Sequence, residues 1–367
     1  MSRLTRAVRK FRQDRIEPSP EQEPWHHLTC FYEPNSAAPW GIVEHGLVPS
    51  DALIDRIKTA YRKSIDAFSP DETSMWSQID SVRREIHDAL LRDDSSAKEI
   101  LSDPASTPLF FGMDNASNVH PTIANAEVEF DTLIRLTEAM NIQPMYNPEL
   151  LNWKDSSKER NSRNPDDEFG KICREINLSL GNIPNPFRGT HGLKITKGIL
   201  DSKTIQAIYC AYKLRQFGAK NILEIGGGLG RAAYFSRALG AARFTIIDIP
   251  LTSVCQALYL GLTLGENAIR LDGEADNGQS IHLLTTTNLP NQNFDAVLNS
   301  DSMTEIGEEV AKDYAGYIQK HSPIFLSINH EANSFRVGSV FNQPPLYRSP
   351  YWLRRGYVEE LYKFSPA

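Results

Sequence analysis

Cysteine is scarce in this chain, which has four among its 367 residues. Cys30, Cys173, Cys210 and Cys255 are widely separated in the sequence and form no CxxC pair. The last three fall in apolar helical patterns, which favours reduced, buried thiols over disulfide bonds. The sequence therefore predicts a reducing compartment and a cytoplasmic location.

Long apolar runs and an excess of positive charge are also missing. No stretch approaches the roughly 18 consecutive apolar residues of a membrane-spanning helix. The N-terminus has no uninterrupted apolar core of the kind found in secretion signals. The formal net charge of -7 argues against broad nucleic-acid binding. These absences predict neither a transmembrane segment nor a nucleic-acid partner.

Positive charge is concentrated at the N-terminus, where residues 1–16, MSRLTRAVRKFRQDRI, contain six Lys or Arg and one Asp. Leu4, Val8 and Phe11 recur at helical spacing, which predicts a basic amphipathic helix. The favoured interpretation is a solvated terminal helix. A weak contact with a membrane surface or a partner is the alternative.

The sequence pattern predicts three regions. Residues 1–50 contain the basic segment and a proline-rich irregular stretch. Residues 51–199 are predicted to be a mostly helical domain, serving as a lid or in dimerisation, with a polar linker at 153–168 and a later helix that stops at Gly181. Apolar residues recur at helical spacing in three stretches of this domain: 51–68, 74–91 and 126–140.

Residues 200–367 form the third region, in which short apolar runs alternate with helical patterns. The first of these helices is capped by Asp201 or Ser202 and ended by Gly218. Strands that alternate with helices predict a parallel sheet with helices on both faces. The predicted fold is therefore α/β, a Rossmann-like sheet with a mostly helical N-terminal extension. The predicted strands are NILEIG, RFTIID, SIHLLTT, FDAVLNSD and PIFLSIN.

A glycine-rich turn, GGGLG, follows the first of these strands at residues 226–230. Open parallel sheets bind ligands beyond the carboxyl ends of their strands, and glycine lets the backbone approach a ligand without obstruction by Cβ. The dinucleotide fingerprint GxGxxG does not fit this turn. Read from Gly226 it needs glycine where Arg231 stands, and read from Gly227 it needs glycine where Leu229 stands.

The spacing that fits is acid-x-Gly-x-Gly-x-Gly, formed by Glu224, Gly226, Gly228 and Gly230. This stretch resembles the first motif of class I S-adenosylmethionine-dependent methyltransferases. The resemblance implies the Rossmann-like class I methyltransferase fold, with S-adenosylmethionine as the cofactor bound by these residues. Arg231 is expected to pair with the methionine carboxylate of that cofactor or with Glu224.

Asp248, at the end of the second predicted strand, suits the same cofactor. A carboxylate there can accept hydrogen bonds from both hydroxyls of an adenosine ribose. Enzymes that bind NAD also have a carboxylate at this position. This residue alone therefore does not distinguish a site for S-adenosylmethionine from a site for NAD. The residue that contacts adenine is left open between Thr285–Thr287 and either Asp272 or Glu274.

Five further stretches carry a narrower resemblance: PLFFGMDN, TIIDIPLTSVCQALYL, FDAVLNSDSMTEI, SINHEAN and YWLRRGYVEELY. They resemble the sugar O-methyltransferase family of bacterial polysaccharide and secondary-metabolite gene clusters. This chain departs from the family pattern at Ile306, where methionine is usual. The resemblance implies transfer of a methyl group to a hydroxyl of a sugar or a sugar-containing metabolite.

Methyl transfer to a sugar hydroxyl requires alignment of the acceptor oxygen, together with a base or a metal, because the hydroxyl is a poor nucleophile at neutral pH. His330, after the fifth predicted strand, is the predicted general base, since histidine titrates near neutrality. Asp301 and Glu305 are four residues apart at the start of a predicted helix. They are predicted to orient His330, and a divalent metal shared by the three is the less favoured alternative.

Two other functions are left open by the sequence. An NAD-dependent oxidoreductase would be expected to have the GxGxxG turn, which this chain lacks. A cofactor-binding but non-catalytic methyltransferase-like protein would not depend on His330. The predicted partner is a small-molecule sugar or glycoside acceptor, and self-association into a homo-oligomer stays open.

Overall fold

The computed structural model describes most of the chain beyond residue 37. The predicted basic helix at residues 1–16 lies outside the described residues, as does most of the predicted linker. No helix in the part of the chain that the structure describes combines the length and hydropathy needed to span a bilayer. The described residues are 38–68, 74–77, 83–113, 123–145, 163–333 and 335–365.

The N-terminal half is mainly helical, as predicted. Ser50 caps the first helix, where its Oγ accepts a hydrogen bond from the backbone N–H of Leu53 at 3.0 Å. Short 3-10 turns follow at Pro104–Ser106 and Pro108–Phe110. The helices of this half are α1 (Asp51–Ile65), α2 (Arg84–Arg92), α3 (Asp94–Ser102), α4 (Ile123–Ala139) and α5 (Pro165–Glu175).

The bounds of α5 differ from the prediction at both ends. The helix starts inside the predicted linker because Asn164 caps it: the side-chain oxygen of Asn164 accepts from the backbone N–H of Asp166 at 2.8 Å. It ends at Glu175, before the predicted stop at Gly181. The left-handed backbone of Asn177, with φ of 50°, ends the helix earlier, since asparagine tolerates this conformation.

A small antiparallel sheet was missed by the sequence analysis. It joins β1 (Trp40–Ile42), β2 (His191–Ile195) and β3 (Gly198–Leu200) in that order. Trp40 lies opposite Leu193 in the register. Each strand is short, and β1 pairs with a segment far away in the sequence. No local periodicity of apolar residues therefore indicates this sheet. The expectation that the stretch following the basic segment, residues 17–50, is irregular is therefore wrong at Trp40–Ile42.

The remainder of the chain forms an eight-stranded sheet in the order β10-β11-β9-β8-β4-β5-β7-β6. The six strands β4 to β9 pair in parallel. The strands β10 and β11 add antiparallel pairs at one edge of the sheet. The strands are β4 (Asn221–Ile225), β5 (Arg243–Asp248), β6 (Ile269–Arg270), β7 (Ile281–Thr285), β8 (Ala296–Ser300), β9 (Ile324–His330), β10 (Tyr347–Pro350) and β11 (Tyr357–Lys363).

Helices link β4 to β5, β5 to β6 and β8 to β9. The prediction of an α/β, Rossmann-like sheet with a mostly helical N-terminal extension is confirmed. Asp201 is the N-cap of the first helix, where its Oδ1 accepts from the backbone N–H of Thr204 at 2.6 Å. Gly218, with φ of 73°, follows the end of that helix, as predicted. The helices are α6 (Ser202–Gln216), α7 (Arg231–Ala238), α8 (Pro250–Leu264) and α9 (Glu308–His321).

The N-terminal helices pack directly on the α/β sheet region. A Cβ at Gly261 of α8 would lie 2.9 Å from Leu53 Cδ2 of α1, so the two helices approach closely at a bare backbone position. At the same face, Arg56 pairs with Glu274 at 2.8 Å. Buried side chains of both regions belong to one hydrophobic cluster. This packing places N-terminal residues over the carboxyl ends of the strands.

Candidate active site

A cavity of about 360 Å³ opens at the carboxyl ends of β4, β5 and β8. The glycine-rich turn, Asp248 and Asp301 line it from the sheet side. Trp76 and Met113 line it from the N-terminal half. The volume falls within the range of about 300–1,000 Å³ that is typical of small-molecule sites. The cleft beyond the strand ends is therefore open to a ligand.

The glycines of the turn have different structural roles. Gly226, Gly228 and Gly230 have φ of 73°, 55° and 85°, a left-handed conformation that favours glycine. A Cβ at Gly226 would lie 2.6 Å from Ser302 Cβ, and one at Gly230 would lie 2.7 Å from Leu260 Cδ1. A Cβ at Gly228 would meet no described atom within 4 Å. Gly228 therefore presents bare backbone to the cavity.

Glu224 and Asp248 place two buried carboxyl groups at the cavity. Glu224 is 3% exposed, and its Oε2 has no hydrogen-bond partner among the described residues. Asp248 accepts hydrogen bonds from the Ile249 backbone N–H at 2.9 Å and from Gln256 Nε2 at 2.8 Å. A buried polar atom without a partner is uncommon in native proteins and calls for an explanation. A ligand beside the turn would supply the missing partner of Glu224.

Both carboxyl groups bind protons more tightly than usual. Burial raises the pKa of Glu224 to about 8, and the nearby charge of Asp248 adds to the effect. Burial raises the pKa of Asp248 to about 7, although hydrogen bonds from Ile249, Gly227 and Gln256 oppose the increase. Each group therefore changes its charge near neutral pH.

The ligand-free protein is expected to lose stability as the pH rises from about 5 to about 8. Both pKa values lie above those of the unfolded chain, so the folded state binds more protons in this range and the free energy of unfolding falls with pH. Glu224→Gln stays neutral and should flatten this fall when Tm is measured across the range. The exposed Glu308→Gln is the control, and equal slopes for Glu224→Gln and wild type would contradict the assignment.

Arg231 begins α7 and lines the cavity. Its described ion pair is with Asp201, at 3.3 Å, rather than with Glu224. The guanidinium carbon also lies 5.6 Å from the centroid of the Tyr259 ring. Asp201 thus joins the start of α6 to an arginine at the cavity wall. Contact of Arg231 with a methionine carboxylate stays a prediction.

Asp301 is an acid of the cavity wall that has several side-chain partners. Its backbone has φ of 65°, an unusual conformation for a residue other than glycine. Its Oδ2 accepts from Lys203 at 3.1 Å and from Arg354 at 2.7 Å, and Tyr357 donates to its Oδ1. Burial disfavours the charged form, but Lys203 and Arg354 outweigh it and lower the pKa of Asp301. Asp301 is therefore an ionised, firmly held carboxylate.

The predicted helix start at Asp301 is wrong. Residues 301–306 form turns, and α9 begins at Glu308 after Gly307, which has φ of 91°. The left-handed backbone at Asp301 prevents a right-handed helix from starting there. Nevertheless, ligand atoms of Asp301, Glu305 and His330 lie within 4.8 Å of one another. The structure thus brings the predicted catalytic set together by a different local conformation.

Of these three described residues, Asp301 alone lines the cavity. His330 Nε2 lies 3.4 Å from Glu305 Oε1, and His330 Nδ1 accepts from the Ala332 backbone N–H at 3.3 Å. Both ring nitrogens of His330 are thus engaged within the protein. Burial raises the pKa of Glu305 to about 7, with a further contribution from the charge of Asp301. The role of His330 as general base stays a prediction.

The charges at this cluster do not favour a divalent metal. Two cations, Lys203 and Arg354, already pair with Asp301 Oδ2. A metal ion bound to the same carboxylate would be repelled by both at close range. The arrangement of charges therefore disfavours a metal at the cluster, and the absence of a metal stays a prediction.

The residues proposed for the adenine contact differ in their position relative to the cavity. Asp272 accepts a hydrogen bond from the Thr285 backbone N–H at 3.1 Å and lies outside the cavity wall. Glu274 is paired with Arg56. Thr286 lines the cavity. Within the range left open by the sequence, Thr286 is therefore the residue placed to contact a ligand.

Several residues of the cavity wall were not found by sequence reasoning. Trp76 and Met113 come from the N-terminal half, Lys203 and Gln206 from α6, and Asp313 from α9. Each belongs to a helical or turn segment without a recognisable motif. The one available signal was the family resemblance of residues 108–115, a stretch that includes Met113.

The likeness of this chain to known proteins is confined to solved structures. No family model and no curated protein matches it. Solved structures that resemble it include an O-methyltransferase from Bacillus cereus in complex with S-adenosylhomocysteine (SAH), with 13% identity, a TM-score of 0.31, and coverage of 54% of this chain and 89% of that one.

Two further similar structures have different descriptions. The methyltransferase domain of a bacterial CtHen1 has 10% identity and a TM-score of 0.34, over 45% of this chain and 100% of that one. The cyclase SpnF has 13% identity and a TM-score of 0.32, over 45% of this chain and 82% of that one. Similarities this low do not bear on the reaction, so the chemistry must be inferred from the site itself.

Proposed function

We propose that this chain is an S-adenosylmethionine-dependent O-methyltransferase that acts on a hydroxyl of a sugar or a sugar-containing metabolite. The central support is the buried Oε2 of Glu224, which has no hydrogen-bond partner among the described residues. The bare backbone of Gly228 and the carboxyl group of Asp248 line the same cavity. This arrangement combines open backbone, a hydrogen-bond acceptor for a ribose and an unsatisfied acid. The resemblance of the glycine-rich turn to the first methyltransferase motif supports the same cofactor.

The residues present fit S-adenosylmethionine. In the proposal, Asp248 accepts the ribose hydroxyls, the backbone of Gly226–Gly228 lies along the cofactor, and Arg231 binds the methionine carboxylate. Glu224 and Gly230 complete the motif, the first as an acceptor and the second as the N-cap of α7. When bound, the cofactor supplies an electrophilic methyl group.

Asp301 is the proposed contact for the acceptor hydroxyl. It lines the cavity and is ionised, and Lys203, Arg354 and Tyr357 hold it in one geometry. A fixed hydrogen-bond acceptor aligns the hydroxyl for in-line attack, and such alignment supplies much of the rate in displacement reactions. Lys203 also lines the cavity, which supports a second proposed contact with the acceptor.

Proton removal is assigned to the cluster of Asp301, Glu305 and His330. Glu305, with its pKa of about 7, can exchange a proton near neutrality. His330 can act as the base only if its Nε2 separates from Glu305. The proposal therefore places Asp301 at the acceptor and the other two behind it.

Calorimetry with SAH and with NAD tests the cofactor assignment. We expect SAH to bind with micromolar affinity, about -8 kcal/mol, and NAD to give no measurable heat. Tight binding of NAD without binding of SAH would overturn the proposal and favour the oxidoreductase. Methyl transfer is then measured with labelled donor and a panel of free sugars, nucleotide sugars and glycosides. SAH binding without transfer to any member would favour the non-catalytic alternative.

A further inference from the structure

Trp76 stands out among the cavity residues because its indole is held by other side chains. It lies in a short helical turn, residues 74–77, and lines the cavity together with Ser74 and Ser77. This turn is attached to the sheet region through Glu305, whose carbonyl oxygen accepts from the Met75 backbone N–H at 3.1 Å. The N-terminal half thereby supplies an aromatic wall to a site built on the sheet.

Two contacts fix the orientation of this indole. The Trp76 side chain lies beside the carboxyl group of Glu305, where its hydrogen bonding opposes the rise in the pKa of Glu305. The guanidinium carbon of Arg83 lies 5.7 Å from the centroid of the Trp76 ring. Arg83 is fully buried and donates a hydrogen bond to the Phe111 carbonyl. An indole held at its N–H and on one face offers a rigid apolar surface with little entropy left to lose on binding.

Polar groups line the same cavity from the sheet side. They include the amide of Gln206, the hydroxyl of Ser300, the ammonium of Lys203 and the carboxylate of Asp301. Gln206 Nε2 donates to Ser300 Oγ at 2.5 Å, which orders both groups. A sugar ring has an apolar C–H face and a rim of hydroxyl groups. An aromatic wall together with donors and acceptors suits these two features.

We propose that Trp76 is the aromatic platform of the acceptor subsite and that Glu305 is the positioning residue that holds it. The C–H face of the sugar packs on the indole, and its hydroxyls face Asp301 and Lys203. This inference rests on the proposed function and deepens it, since it names the residue that recognises a sugar ring. It also gives Glu305 a role that does not require proton transfer.

Trp76→Leu and Trp76→Phe test the platform. Binding of a panel of methyl hexopyranosides, with SAH present, is followed by saturation-transfer NMR. We expect Trp76→Leu to lose about tenfold in affinity and Trp76→Phe about threefold, since an aromatic contact contributes on the order of 1 kcal/mol. The control is Trp352→Leu, which changes an exposed tryptophan outside the cavity wall and should bind as wild type does.

The affinity for SAH separates this inference from the proposed function. Wild type that fails to bind SAH overturns both. If SAH binds equally to wild type and Trp76→Leu while the sugar affinity falls only in the variant, the platform is supported. Unchanged sugar affinity in Trp76→Leu, or no sugar binding by wild type that binds SAH, overturns the platform and leaves the cofactor assignment intact.

The positioning role of Glu305 has its own signature. Glu305→Gln keeps a side-chain oxygen for the indole N–H, whereas Glu305→Leu removes it. The NMR signal of the Trp76 indole N–H is identified by its loss in Trp76→Phe. Its chemical shift should be unchanged in Glu305→Gln and should change in Glu305→Leu. Sugar affinity should be retained in the first variant and fall about tenfold in the second. If Glu305→Leu leaves both the signal and the affinity unchanged, Glu305 does not hold the platform.

Discussion

Asp248→Asn is expected to weaken SAH binding about 100-fold or more at pH 8. Hydrogen bonds to a charged group contribute about 1.5–3 kcal/mol each, and about 1.4 kcal/mol is tenfold in affinity. Asparagine keeps one acceptor oxygen but loses the charge and the second acceptor for the ribose. Calorimetry is performed above the pKa of about 7, where the wild-type carboxylate is ionised.

Asp295→Asn is the matched control for this experiment. Asp295 lies at the opposite, amino end of β4, where its Oδ2 accepts from the backbone N–H groups of Lys220 and Asn221, each at 2.8 Å. Its replacement removes the same charge at a distance from the cavity, so SAH affinity should stay within about twofold of wild type. Wild-type affinity in Asp248→Asn would rule out a ribose contact.

Gly228→Ala is expected to abolish measurable SAH binding. The added methyl group projects where no described atom lies within 4 Å, on a backbone that lines the cavity. It would therefore occupy ligand space rather than clash with the protein. The left-handed φ of 55° adds a cost of about 1–2 kcal/mol to folding. Thermal unfolding measures this cost, and calorimetry measures the loss of binding.

Gly218→Ala separates backbone strain from obstruction of the cavity. Gly218 has a left-handed φ of 73°, and a Cβ there also meets no described atom within 4 Å, but the residue follows α6 outside the cavity wall. The two alanine variants should lose similar stability, and Gly218→Ala should still bind SAH. Equal binding by both variants would show that the turn does not contact the cofactor.

The sequence identified the parts of the site that local patterns determine. Glu224, the glycine-rich turn and Asp248 follow directly on buried strands, so the alternation of apolar runs and helices predicts where they lie. Their spacing also distinguishes this turn from GxGxxG. The cap at Asp201 and the stop at Gly218 are equally local, and the structure confirms both.

Other parts of the site depend on contacts between distant segments. Trp76 reaches the cavity because its turn binds Glu305, more than two hundred residues later. The conformation of Asp301 reflects its partners Lys203, Arg354 and Tyr357, which come from α6, from the segment between β10 and β11, and from β11. Neither arrangement leaves a periodic signal in the sequence. The strand Trp40–Ile42 was missed for the same reason.

The two protonatable acids beneath the glycine-rich turn, Glu224 and Asp248, have a consequence for turnover under the proposed function. A positively charged sulfonium favours the ionised forms of these two acids more strongly than does the uncharged thioether left after transfer. The protein would thus bind the methyl donor more tightly than SAH, and this difference in affinity would increase as the pH rises. The charges of Glu224 and Asp248 that favour binding of the donor would then also favour release of SAH after transfer.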